Sequence, residues 1–143
     1  MVEPAPEPAP APEAPQLLYG LPNQRFEGSD GASLGFFLLR PLPATDGSRR
    51  RRRRLLVFFH GHGSTGDVDG LARLHDQASF LPRCEDTLPG TVVLVPWLGK
   101  HANGGWQSEH HKLAVLELLA HVFLSEQIDG GCCALSVSMG GFP

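Results

Sequence analysis

The sequence predicts an α/β fold built on a mostly parallel sheet, and three observations carry that prediction. First, the runs LLVFFH (55–60), TVVLVPW (91–97) and CCALSVS (132–138) are continuously apolar rather than alternating, as strands buried on both faces are. Second, segments of helical periodicity fill the intervals between them. Third, two shorter strand-like pieces precede the first run and are joined by a turn signal. Strand, helix, strand, helix, strand after an initial hairpin is the order of a doubly wound domain with flanking helices.

Each element has its own justification. The opening MVEPAPEPAPAPEAP alternates Pro with Ala and Glu. It offers nothing to bury and favours extended polyproline II, so residues 1–21 are expected to be a disordered tail and 22–143 the folded domain. From Gln24, QRFEGSDGASLGFFLLRP contains a short run, a Ser-Asp-Gly turn and an apolar run ending at Pro41, which reads as an antiparallel hairpin. LPATDGSRRRRRR is a loop by its Pro, Asp, Gly and charge. In LARLHDQASFL, Leu71, Leu74, Ala78 and Leu81 recur at helical spacing, and Pro82 ends that helix. A Pro-Gly turn precedes TVVLVPW. The strongest helical pattern is SEHHKLAVLELLAHVFLSEQ, 108–127, with Ser108 as its cap. Its apolar side is expected to hold Leu113, Leu116, Ala120, Phe123 and Leu124, and its polar side Lys112, Glu117 and Glu126.

Composition narrows the function classes. Of 143 residues, 41% are apolar and 19% charged, ordinary for a soluble globular chain. Six of the twelve basic residues form one block, Arg49–Arg54, so the rest carries six bases against fifteen acids. An acidic body with one basic loop is not the footprint of a nucleic-acid-binding domain. The block reads as a solvated insertion, with nuclear import or anion binding as the functional alternative. No apolar run approaches the roughly 18 residues of a membrane span, and the N-terminus lacks the parts of a secretory signal. Three cysteines, Cys84, Cys132 and Cys133, are odd in number and not spaced as a disulfide framework. Cys132 and Cys133, adjacent in a strand, should point to opposite faces. A reducing, cytoplasmic compartment is expected.

Two segments carry chemistry, and both sit at carboxyl ends of apolar strands, where such sheets gather reactive groups. They are His60-Gly61-His62-Gly63 after LLVFF and Ser136-Val137-Ser138-Met139-Gly140-Gly141 after CCAL. Together they resemble the α/β-hydrolase fold superfamily, in its esterase, phospholipase/carboxylesterase and peptidase-like branches, over most of residues 22–143. The resemblance implies Ser138 as a nucleophile on a strained strand-to-helix turn. It also implies the backbone N–H groups of His62 and Met139 as oxyanion donors, with Gly61, Gly63, Gly140 and Gly141 permitting close backbone approach. The substrate would be a small-molecule ester or, second, a peptide, with no cofactor and no metal. Trp97 and Trp106 either line a substrate pocket or cover the core.

The pattern departs from the family in two ways. Ser136 stands where G-x-S-x-G has its first glycine. More seriously, the family order is nucleophile, acid, histidine, yet all seven histidines and every acid precede Ser138. No triad acid or base can be assigned, and a serine without a base is a poor nucleophile. Among upstream histidines, His62 and His101 lie in loops at the appropriate sheet edge. His60, ending a buried strand, reads as a loop anchor, and His121 as the helix-face partner of Glu117. His60-x-His62 resembles the start of a metallo-β-lactamase ligand set, but Ser64 and Thr65 stand where Asp and His should follow, so zinc is not expected.

The chain thus reads as the N-terminal portion of a serine hydrolase, lacking the strands after the nucleophile turn and inactive as it stands. The alternative is a non-catalytic, hydrolase-derived binding module or inert fragment. In either case CCALSVS would be an unpaired edge, open to self-association.

Overall fold

The computed structural model describes residues 24–41, 52–61, 89–98 and 105–137. Five strands form one mixed sheet: β1 (Gln24–Glu27), β2 (Ser33–Leu39), β3 (Arg54–Phe59), β4 (Thr91–Trp97) and β5 (Cys132–Ser136). A 3₁₀ turn, Gly105–Gln107, leads into helix α1 (Glu109–Ser125). The expected tail, the loop through Arg51, the helix at 71–82 and Cys84 lie outside the described residues.

The strand order is β1-β2-β4-β3-β5. β1, β2 and β4 pair antiparallel in sequence, while β3 pairs parallel with β4 on one side and β5 on the other. The hairpin turn closes through Gly28 N–H to Ala32 C=O (2.7 Å), and Gly31 supplies the positive φ of 83° that this turn requires. Asp30 Oδ1 accepts the Ala32 N–H at 3.0 Å, the local bond that makes Asp a turn former. β3 and β4 are buried almost throughout, as their unbroken apolar runs demand.

One face of the sheet packs under α1. Leu34, Phe36, Leu55, Val57, Phe59, Val92 and Leu94 meet Ala114, Val115, Leu118 and Val122 in a single core cluster. The other face buries Phe37, Leu56, Phe58, Val93 and Val95. The helix extent agrees with its periodicity, but its buried face does not. Leu113, Leu116 and Leu124 are 41%, 63% and 82% exposed, and Ala114, Val115, Leu118 and Val122 are buried instead. The cause is that α1 is apolar around most of its circumference, so periodicity could not choose the inward stripe. Ser108 occupies the cap position without a side-chain cap bond.

The polar side of α1 clasps its surroundings. Glu117 accepts from the Ser29 N–H at 2.8 Å and from the Ser29 hydroxyl. It is therefore not the partner of His121, whose ring packs against Phe26 with centroids 5.9 Å apart. His110 Nδ1 lies 2.6 Å from Asp30 Oδ2. The Asp30 carboxyl is held below its ordinary range, first by the Ala32 N–H and then by His110.

The return from α1 to β5 docks on the start of β3. Arg53 C=O accepts the N–H groups of Asp129 (3.2 Å) and Gly130 (2.8 Å), and Asp129 Oδ1 accepts the Arg53 N–H (2.7 Å). Glu126, buried at the helix end, is gripped by Arg40 (2.7 Å) and Arg53 (3.1 Å). Two residues of the arginine block are therefore structural rather than part of a solvated insertion: Arg53 in this ion pair and Arg54 as the first residue of β3.

β5 forms where the sequence places it and, among the described residues, is the edge strand expected, but its burial differs from the expectation: every residue from Gly131 to Val137 is exposed. Its apolar composition suggested a strand buried on both faces. Among the described residues only β3 flanks it.

Candidate active site

The candidate site is built at the carboxyl ends of β3 and β5. β4 and β5, consecutive strands along the chain, lie on opposite sides of β3, so the winding reverses there. In open α/β sheets that reversal leaves a crevice outside the strand ends where ligands bind. The register pairs Phe59 with Ser136, and the Val137 N–H donates to the Phe59 C=O at 3.1 Å. β3 and β5 therefore end at adjacent positions, and HGHG and SMGG follow them in the sequence. Neighbouring strands are spaced by about 4.8 Å.

His60 organises the β3 side. It is fully buried, and the Leu98 N–H donates to its Nε2 at 3.0 Å. That bond makes Nε2 the unprotonated nitrogen, so Nδ1 carries the proton and donates to the Gly61 C=O at 2.8 Å. Trp106 Nε1–H donates to the His60 C=O at 3.0 Å, and its ring meets His60 edge-on with centroids 5.0 Å apart. Burial pushes the imidazole pKa down to about 4, against a smaller upward pull from the Gly61 bond. His60 is thus a neutral strut tying the ends of β3 and β4 to the entry of α1. With both ring nitrogens engaged, it has no lone pair for a serine proton or a metal. The anchor reading of this residue is the correct one.

Trp106 is 2% exposed and packs edge-on to Phe59 at 5.3 Å, a core role. Beside it an open apolar groove of about 250 Å³ runs between β3 and α1, lined by Phe59, Trp106, Lys112, Val115, Leu116 and Leu119. Trp97 is half-buried against the opposite core cluster.

Of the residues singled out by sequence, Gly61 is described. It is buried and holds His60 Nδ1 through its carbonyl. Ser138, His62, Met139, Gly63, Gly140 and Gly141 lie outside the described residues, as does His101. What the fold brings together is the pair of strand ends that carry them. Sequence reasoning named His60 as a loop anchor and Trp106 as a pocket or core residue, but it missed Leu98 and the bonds that join the three. A tryptophan shortly before a strong helical pattern, with a histidine closing a buried strand, was the available signal.

Comparison with known proteins agrees with this architecture. The chain superposes on the crystal structure of a thermostable esterase with a TM-score of 0.62 at 22% identity, covering 82% of this chain and 34% of that one. The described sheet therefore has an α/β-hydrolase-type fold, and the chain spans about a third of the esterase's length. No protein-family model matches the sequence, and no curated protein matches it. Among the described residues, no helix is long and apolar enough to cross a membrane.

Proposed function

We propose that this chain carries the nucleophile half of a serine carboxylic-ester hydrolase site. Ser138 is the nucleophile, and the main-chain N–H groups of His62 and Met139 are the donors that receive the oxyanion. One observation carries the reading: β3 and β5, far apart in sequence, end side by side and parallel, with Phe59 beside Ser136. His62 follows three residues after Phe59 and Ser138 two residues after Ser136. A short span from each strand end is what a carbonyl bridging one hydroxyl and two amides requires. Each such donor contributes about 3–4 kcal/mol to lowering an acyl-transfer barrier. The esterase likeness supports a small-molecule ester over a peptide as substrate. Met139 would open a helix whose free N–H groups and dipole add to the same stabilisation.

The base and acid are not assigned. His60 is removed from consideration by its two ring bonds, and His62 and His101 remain the upstream candidates. Without an oriented base, Ser138 would react slowly with esters while retaining reactivity toward strong electrophiles. The competing reading is a non-catalytic, hydrolase-derived binding module, favoured by the open edge of β5. A fluorophosphonate probe separates the two. Labelling of the chain that disappears in Ser138→Ala supports the nucleophile reading. Absence of labelling at saturating probe, with the chain folded, sinks it.

A further inference from the structure

We propose that Asp30-Gly31 is a site of spontaneous modification, where Asp30 isomerises to isoaspartate through a cyclic imide at a rate set by the grip of His110 on its carboxylate. The inference is independent of the hydrolase reading, since it uses the β1–β2 turn and α1 and not Ser138.

The chemistry needs an aspartyl side chain, the next main-chain nitrogen and room between them. The Gly31 nitrogen attacks Asp30 Cγ. The carboxyl hydroxyl leaves as water with the amide proton, and a five-membered imide closes. Water then cleaves the bond between the Gly31 nitrogen and the Asp30 main-chain carbonyl. One water is released and one consumed, so no oxidant, enzyme or cofactor enters. The product runs its main chain through the former side chain, one methylene longer, and carries the former main-chain carbonyl as a free carboxylate. Glycine after the aspartate favours the closure because it adds no side chain to crowd the ring.

Asp-Gly pairs occur at Asp30, Asp46, Asp69 and Asp129, and those at Asp30 and Asp129 lie among the described residues. The two differ in room. A Cβ built on Gly31 meets nothing within 4 Å, whereas one on Gly130 would lie 2.9 Å from the Arg53 carbonyl oxygen. Asp129 is also locked from both sides by the start of β3. Its Oδ1 accepts the Arg53 N–H at 2.7 Å, and the Gly130 N–H donates to the Arg53 C=O at 2.8 Å. That pair reacts only after its contact with β3 has broken.

Asp30 is held by its own turn and by α1. The turn supplies the Ala32 N–H to Oδ1 at 3.0 Å, and ties down the Gly31 N–H on the Gly28 C=O at 3.0 Å. The helix supplies His110, whose Nδ1–H donates to Oδ2 at 2.6 Å. This last bond slows the reaction in two ways. With both oxygens held, the carboxyl cannot swing onto the Gly31 nitrogen. The Ala32 N–H and, after it, His110 also hold the carboxyl below its ordinary range. An ionised carboxylate is the poor electrophile here, because only the neutral acid can shed water. Yet the His110 side chain is 73% exposed, so its grip has the modest strength of a surface pair and releases readily.

The turn keeps its seat when that grip is lost. One turn-spaced stripe of α1 carries His110, Ala114 and Glu117, and Glu117 still accepts from the Ser29 N–H and hydroxyl. Isomerisation is more disruptive. It moves the carboxylate away from His110 and Ala32 and lengthens the chain inside the Gly28–Ala32 closure, so the reacted hairpin sits loosely on α1.

The test ages the full chain at physiological temperature and mildly acid pH, and locates isoaspartate by peptide mapping with fragmentation that separates the two isomers. In the native chain isoaspartate should accumulate at Asp30 ahead of Asp129. His110→Ala should speed conversion at Asp30 about two- to fivefold, the factor carried by one exposed charged pair, and leave Asp129 unchanged. Ser29→Ala loosens the same turn from Glu117 without touching Asp30. It should act in the same direction, and it keeps the test decisive if the first variant folds poorly. Asp30→Glu, whose ring would have six members, should abolish the signal in that peptide. The proposal is overturned if Asp30 stays intact over a period in which the urea-unfolded chain converts there. Conversion at Asp129 as fast as at Asp30 overturns it too, as does a rate at Asp30 indifferent to both the His110 and the Ser29 variants.

Discussion

The buried His60 gives a prediction whose size follows from the structure. Its pKa is about 4 in the folded chain against an ordinary 6.5. The folded state therefore resists protonation that the unfolded chain accepts. The stability this provides is complete above pH 6.5, falls as pH drops through the interval, and is gone below about 4. Between about pH 7.5 and about pH 5 the loss from this one group is about 2 kcal/mol. Urea unfolding, followed by the fluorescence of the buried Trp106, should show that loss in the native sequence. His60→Phe keeps a ring of similar size but strands the Leu98 N–H at a cost of about 1–3 kcal/mol. The variant should thus be less stable at neutral pH, and its stability should fall by about 2 kcal/mol less than that of the native chain on going to about pH 5. Taking the difference between the two proteins cancels other acid-labile groups such as Asp30. A parallel measurement guards against a variant too unstable to compare: the His60 ring resonance of the native chain should remain unshifted until well below pH 6. Titration of that resonance near 6.5, or identical pH dependence in both proteins, would refute the strut assignment.

Three further outcomes are expected. Leu118→Ala, at a fully buried position, should cost about 2–5 kcal/mol, while Leu116→Ala on the exposed stripe should cost well under half of that in denaturant midpoints. Gly130→Ala would bring a Cβ to 2.9 Å from the Arg53 carbonyl oxygen, whereas Gly131→Ala meets nothing within 4 Å. The first should lose about 1–3 kcal/mol and weaken amide protection along β5, and the second should leave both nearly unchanged. Glu126→Ala leaves the half-buried Arg53 uncompensated and should cost about 2–4 kcal/mol, but Arg40→Ala, whose side chain is 57% exposed, about 1 kcal/mol or less. Equal effects from the two would show that the ion pair is not organised around Glu126.

The match between pattern and structure differs from element to element for physical reasons. β3 and β4 were legible because burial on both faces writes an unbroken apolar run, and TVVLVPW is β4 residue for residue. The same signature misled at CCALSVS, since an uncharged strand of small and apolar residues reads alike whether its faces are covered or open. Helix α1 was legible in extent because its period is local. Its inward stripe was not, because the 113/116/120/124 positions and the 114/115/118/122 positions are both apolar. Glu117 and His121 have the spacing of a helical pair, yet each is claimed by the β1–β2 hairpin, through Ser29 and Phe26.

By itself the sequence determined which segments become strands and helix, because backbone propensity and apolar period are properties of consecutive residues. It also placed a His-Gly-His-Gly segment after one of those strands and a Ser-Met-Gly-Gly segment after another. Only the tertiary structure decided that β5 lies against β3 rather than β4, that α1 turns Val115 and Leu118 inward, and that His60 spends both nitrogens on neighbouring loops. Those choices are made by contacts between segments distant in the chain, such as Arg53 capturing Asp129 and Gly130. No window of neighbouring residues contains the energy of such a contact.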